Sequence, residues 1–134
     1  MLFASDKYKN RGYGENPMLW NSKRKTTLAP DITVCRSLLA KATGLMFRPQ
    51  LRGRAMVFPF PTERRISLHM LFVFFPIDVL FLDKRGHVVE VKERLAPFWF
   101  HSSRKPARAA VELPAGTIQK SRTHVGDRIA GIDF

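Results

Sequence analysis

Three side chains stand where their chemistry is out of keeping with their neighbours. Asp78 lies in Ile77-Asp78-Val79-Leu80-Phe81-Leu82, a run otherwise apolar on both sides. A carboxyl group there must be hydrogen-bonded, paired or protonated. It is therefore either a ligand contact or general base, or a group that satisfies backbone N–H groups of an adjoining loop. His69 interrupts the apolar run from Leu68 to Phe75, as a polar contact or as a satisfied histidine of the core or an edge. Arg48 closes Gly44-Leu45-Met46-Phe47-Arg48. Its planar guanidinium can grip a carboxylate or phosphate through two parallel hydrogen bonds, or pair internally with Asp78 or Glu112. Arg48, His69 and Asp78 are the candidate ligand-binding residues.

Other site chemistries find less support. Cys35 is the one cysteine, which rules out an internal disulfide and a multi-cysteine metal site. His87, His101 and His124 are scattered without ligand spacing, so no metal site is expected. Ser102 and Ser103 follow His101, but the members of a triad converge in space and not in sequence. Arg52-Gly53-Arg54 has a single glycine and no following Lys-Ser/Thr pair, so it is no phosphate loop. No catalytic residue or cofactor is assigned, and an unrecognised hydrolase is the third of three functional readings.

Charge is the unusual feature of the composition. Twenty-three Lys and Arg oppose eleven Asp and Glu, for a net charge of +12. Such a balance attracts nucleic acid or a small anionic ligand. From Ile32 to Thr62 there are five cations (Arg36, Lys41, Arg48, Arg52, Arg54) and no acid. Arg104, Lys105 and Arg108 follow Phe98-Trp99-Phe100, again without an acid. Aromatic faces beside cations build grooves for single strands. Arg52, Arg54, Trp99, Arg104, Lys105 and Arg108 are thus the candidate RNA- or DNA-binding residues, although aromatics flanking a strand are more often core.

The elements that must carry these residues are mostly strands. Residues 1–17 show neither a helical nor a strand period and are expected to be a flexible tail, with 18–134 a single β domain. Asn21 to Lys25 reads as a hairpin turn, and Ile32 to Cys35 as a strand. Ser37 is placed to cap a short helix over Leu38 to Ala42, stopped by Gly44. Ala55 to Phe58 reads as a strand ended by Pro59 and Pro61. Ile66 to Phe75, then Ile77 to Leu82, form the strongest apolar stretch, and Asp83-Lys84-Arg85-Gly86 is a turn into the strand His87 to Glu93. In that strand Val89 and Val91 are expected on one face. Ala107 to Leu113 and Arg128 to Ile132 are further strands, and Thr117 to Arg122 suits one helical turn. The expected fold is mainly β, a compact β-sandwich or barrel of about eight short strands with one short helix. The longest apolar run is far short of the ~20 residues a membrane helix needs, and a cytoplasmic protein with no membrane partner is expected.

The order of these landmarks resembles a prokaryotic family known as domain of unknown function family 192, or uncharacterised protein family 0127. Its pieces are Gly44 to Arg48, Ile77 to Asp83 with Gly86 and Val88, Pro106-Ala107, Val111-Glu112-Leu113-Pro114-Ala115-Gly116, and Gly126-Asp127. Many relatives place Trp-Met and then Asn-Thr before the Pro-Leu-Asp element, where this chain has His69-Met70 and Val73-Phe74-Phe75. The resemblance implies a compact β fold with a short helix and supplies no agreed activity. The function is therefore unknown. A non-enzymatic binding or accessory domain with a polar site near the central hairpin is favoured over a nucleic-acid-binding module and over a hydrolase.

Overall fold

A computed structural model describes residues 18–36 and 51–133. The expected tail, the expected helix over 38–42 and Arg48 lie outside the described residues. Ten strands and a short helix are present among the described residues. In the middle lies a five-stranded sheet of β3 (Asp31–Val34), β4 (Arg54–Arg64), β6 (Ile77–Leu82), β7 (Val88–Leu95) and β9 (Ala107–Pro114), in the order β3-β4-β9-β6-β7. β3 runs parallel to β4, and the other neighbours are antiparallel. β1 (Leu19–Asn21), β2 (Thr26–Ala29) and β10 (Ile129–Ala130) form a second sheet in the order β10-β1-β2. β5 (Ser67–His69) and β8 (Phe100–Ser102) form a separate two-stranded ribbon.

Both faces of the central sheet are covered, which explains why β6 is buried at every position instead of alternating. On one face Ala55, Val57, Leu80, Leu82, Ala109, Val111 and Leu113 pack with Leu19, Leu28 and Ile129 of the second sheet. Ile118 of the helix α1 (Thr117–Ser121) joins that layer. On the other face Met56, Phe58, Val79, Phe81 and Ala110 pack with Ile66 and Met70, which flank β5. The arrangement is layered, and no described sheet closes into a barrel.

Several expectations hold, and three change. The β1–β2 and β6–β7 hairpins form as expected. Gly86 has φ +82° in the turn of the second, where a Cβ would lie 2.9 Å from the Ile129 carbonyl oxygen. β4, however, does not stop at Pro59 but continues to Arg64. Its partner β3 ends opposite Val57, so beyond that point β4 is an edge, where a missing N–H costs no ladder bond. Val89 and Val91 fall on opposite sides, Val89 against the ribbon-side core and Val91 against the other. The register shifts between Phe81 and Leu82 in the β6–β7 pairing, and the extra residue of that bulge flips the alternation. Finally, of Ile66 to Phe75 only Ser67–His69 is a strand. The rest is a loop.

Candidate functional site

Asp78 is fully buried, and its carboxyl group is used by the backbone. Oδ1 accepts the Arg94 N–H at 3.0 Å, while Oδ2 accepts those of Gly116 at 3.1 Å and Ile118 at 2.9 Å. Arg94 has φ +50° and belongs to a bulge opposite Asp78, where the register shifts between Ile77 and Val79. The side chain thus ties a strained position of β7 to the start of α1. Three N–H donors in a closed environment leave it no exposed face toward a ligand.

Glu112 is the second buried carboxyl group in the sheet, and sequence reasoning treated it only as a partner for Arg48. It faces the ribbon side, paired across β9 with Met56 of β4 and Val79 of β6. It is 6% exposed. Among the described residues no hydrogen-bond donor or cation reaches it, and burial pushes its pKa up to about 8.

His69 is exposed at the end of β5, opposite Phe100 of β8, and its Nδ1 accepts the Leu71 N–H at 3.3 Å. Around this end of the ribbon the loops 70–76 and 96–99 come together. The Met70 N–H donates to the Trp99 carbonyl at 2.6 Å, and the Phe98 N–H donates to the Met70 carbonyl at 2.9 Å. From this cross-linked pair project Leu71, Phe72, Phe74, Phe98, Trp99 and Phe100, all exposed, Trp99 at 62% and Phe100 at 68%. Phe98 meets Phe72 and Phe74 edge-on, at 6.2 and 5.4 Å between ring centres, and Trp99 stacks on Phe100 at 6.0 Å. Phe72 and Phe98 have φ of 54° and 59°, a left-handed conformation that bulky side chains seldom adopt and that persists where the surroundings over-determine it. Exposed apolar side chains scattered singly need no explanation, but a contiguous patch marks a contact surface. The sequence carried a signal for it: both aromatic runs abut a proline, Phe74-Phe75-Pro76 and Pro97-Phe98-Trp99-Phe100, which takes them out of regular strand geometry.

The ribbon is fastened to the sheet by its middle. The His101 ring lies 5.7 Å from that of Phe81, and its Nε2 is 3.0 Å from Glu90 Oε2. Burial draws the Glu90 pKa upward, but hydrogen bonds from His101 and from the Arg104 and Lys105 N–H groups outweigh it and hold the carboxyl below its ordinary value. Ser103 Oγ bonds the Ile66 N–H and the Lys105 carbonyl, and Ser102 Oγ bonds Ser67 Oγ. Neither hydroxyl is paired with His101. Among the described residues no group of three or more His, Cys, Asp and Glu side chains is placed to hold a metal ion.

The candidate nucleic-acid residues divide between two places. Arg54 pairs with Asp31 at 2.9 Å, at the start of β4, and Arg52 is exposed in the turn just before it. Arg64, at the other end of β4, is opposite Ala107, which puts exposed Arg104 and Lys105 at that far end. Arg108 is half-buried and donates through Nε to the Phe60 carbonyl. Trp99 is on the aromatic platform, at the end of β8 away from Arg104 and Lys105.

The model of the DUF192 family, described as Uncharacterized ACR, matches residues 19–131. The chain belongs to the DUF192 family. A UPF0127 protein of Thermococcus sibiricus is 32% identical over 84% of this chain and 73% of its own length. Another, of Pyrococcus furiosus, is 33% identical over 74% of this chain and 84% of its own. A solved structure from Sinorhizobium meliloti, described as a candidate transcription regulator, has a TM-score of 0.74 and 26% identity, covering 85% of this chain and 90% of that one. A protein of unknown function from Novosphingobium aromaticivorans reaches a TM-score of 0.76 over 97% of this chain and 98% of that one at 16% identity, which shows a shared fold alone. DUF192 is a family without a named function, and the two UPF0127 relatives carry no named activity. His69 and Val73-Phe74-Phe75, where the sequence resemblance implies a departure from many relatives, lie on or beside the platform.

Proposed function

We propose that this DUF192 domain is a non-enzymatic binding or accessory domain whose contact surface is the aromatic platform at the open end of the β6–β7 hairpin. The observation that supports it is the set of six exposed large side chains, five on two loops hydrogen-bonded to each other and Phe100 at the adjoining end of β8. A rigid backbone lowers the ordering cost of binding, and strained phenylalanines are retained where a conformation serves a contact. Exposed His69 is the polar group beside this surface, the role first considered for it together with Asp78 and Arg48. Among the described residues no helix is long and apolar enough to cross a membrane. In this reading the domain works in the cytoplasm, with which a single buried cysteine is compatible.

A nucleic-acid role draws some support from the description of the Sinorhizobium protein, yet the separation of Arg52 and Arg54 from Arg104 and Lys105 weighs against one continuous cationic groove. The test is site-specific photocrosslinking in living cells. A photoreactive phenylalanine analogue at position 99 is expected to give adducts, and the same analogue at exposed Lys120 of α1 is expected to give none. Equal yields, or none at position 99, would remove the platform as the contact surface.

A further inference from the structure

From the same platform we infer a more specific partner: the surface of an anionic lipid bilayer, into which the two aromatic loops dip. This rests on the platform being the contact surface. The first support is the composition of the patch. Leu71, Phe72, Phe74, Phe98, Trp99 and Phe100 present hydrocarbon and ring surface from two adjacent loops and the adjoining end of β8, and Trp and Phe are side chains that settle at the boundary between headgroups and acyl chains. Their rings pack on one another, Trp99 on Phe100 and Phe98 against Phe72 and Phe74, so they form a wedge and not separated slots for planar bases.

The second support is charge and its placement. The segments that build ribbon and platform, 64–77 and 94–111, contain Arg64, Arg65, Arg94, Arg104, Lys105 and Arg108 and no acid, while Glu63, Asp78, Glu93 and Glu112 immediately flank them, Asp78 and Glu112 buried. Arg64, Arg65, Arg104 and Lys105 are exposed at the end of the ribbon away from the aromatics. Arg104 is four positions beyond Phe100, up to about 13 Å at ~3.3 Å per residue of strand. A peripheral element buries its apolar face only about 5–10 Å, so aromatic side chains inserted to that depth leave the arginines and Lys105 at headgroup level. There they neutralise anionic lipid, and the net charge of +12 draws the domain to such a surface from a distance. Insertion of loop tips needs no spanning segment, so the absence of a long apolar run, from which no membrane partner was expected, does not bear on it.

The experiment is co-sedimentation of the full chain with vesicles of phosphatidylcholine and phosphatidylglycerol, and with phosphatidylcholine alone. Binding is expected to the anionic vesicles, and added salt should weaken it by at least about tenfold. The double variant F74S/W99S and the double variant R104E/K105E should each lose about tenfold or more in affinity while keeping the wild-type circular dichroism spectrum. If F74S/W99S does not fold, quenching of Trp99 emission by brominated lipid in W20F replaces it, with quenching expected. No binding to anionic vesicles, binding indifferent to these substitutions, or an unquenched Trp99 overturns the proposal. A single-stranded oligonucleotide bound through Trp99, or a dimer dissolved by F74S/W99S, without vesicle binding, also overturns it and leaves the platform as the contact surface. Loss of the position-99 crosslinks removes the platform itself.

Discussion

Asp78 and Glu112 lie on adjacent strands and point to opposite faces of the same sheet, and their surroundings give them opposite energetics. Asp78 serves three backbone N–H groups. Asp78→Ala leaves one buried N–H, that of Ile118, and two partly buried ones without their acceptor, and a buried donor left unsatisfied costs ~1–3 kcal/mol. Urea unfolding should show a loss of about 1–3 kcal/mol or more, and an unchanged midpoint would refute the structural role. For Glu112 the folded pKa, pushed by burial to about 8, is above its ordinary value of 4.5. The folded state therefore holds a proton that the unfolded chain has released, and stability falls as pH rises between those two values. The slope is at most about 1.4 kcal/mol per pH unit. Glu112→Gln keeps the shape without the titration, so it should flatten the fall and leave the variant more stable than the parent at the alkaline end. The check is unfolding of both proteins across that pH range.

Among the elements, β6 and β7 with their turn are the best specified. Gly86 sits at φ +82° with the Ile129 carbonyl oxygen 2.9 Å from where a Cβ would be, so the turn and β10 approach through glycine alone. Gly86→Ala meets both a backbone clash and an unfavourable conformation, and should lower stability by about 1–3 kcal/mol. A thermal midpoint equal to the parent's would show that the turn relaxes freely. The element level is also where pattern reading went astray. Alternation put Val89 and Val91 on one face, but a bulge adds a residue, and one residue reverses every later side chain. Pro59 and Pro61 ordinarily end a strand; here β4 runs through them, because β3 stops and leaves that stretch an edge.

At the scale of the whole molecule, a central sheet covered on both faces accounts for the apolar runs of β4, β6 and β9, and the ribbon above it carries the platform. The residue types alone determined a mainly β chain, its turns, the strong net charge and the need for Asp78 to find partners, because these follow from local conformational preference and from the cost of burying a charge. They could not determine what Asp78 would meet, since its donors come from residues 16 to 40 positions further along the chain. Nor could they tell that Phe72, Phe74 and Phe98 to Phe100 face outward. Hydrophobicity favours burial of any large apolar side chain, and which of them stay outside depends on how much surface the layers have left to cover once the sheet has closed on its two cores. That is settled only by tertiary packing, as is the separation of two groups of cations to opposite ends of one strand.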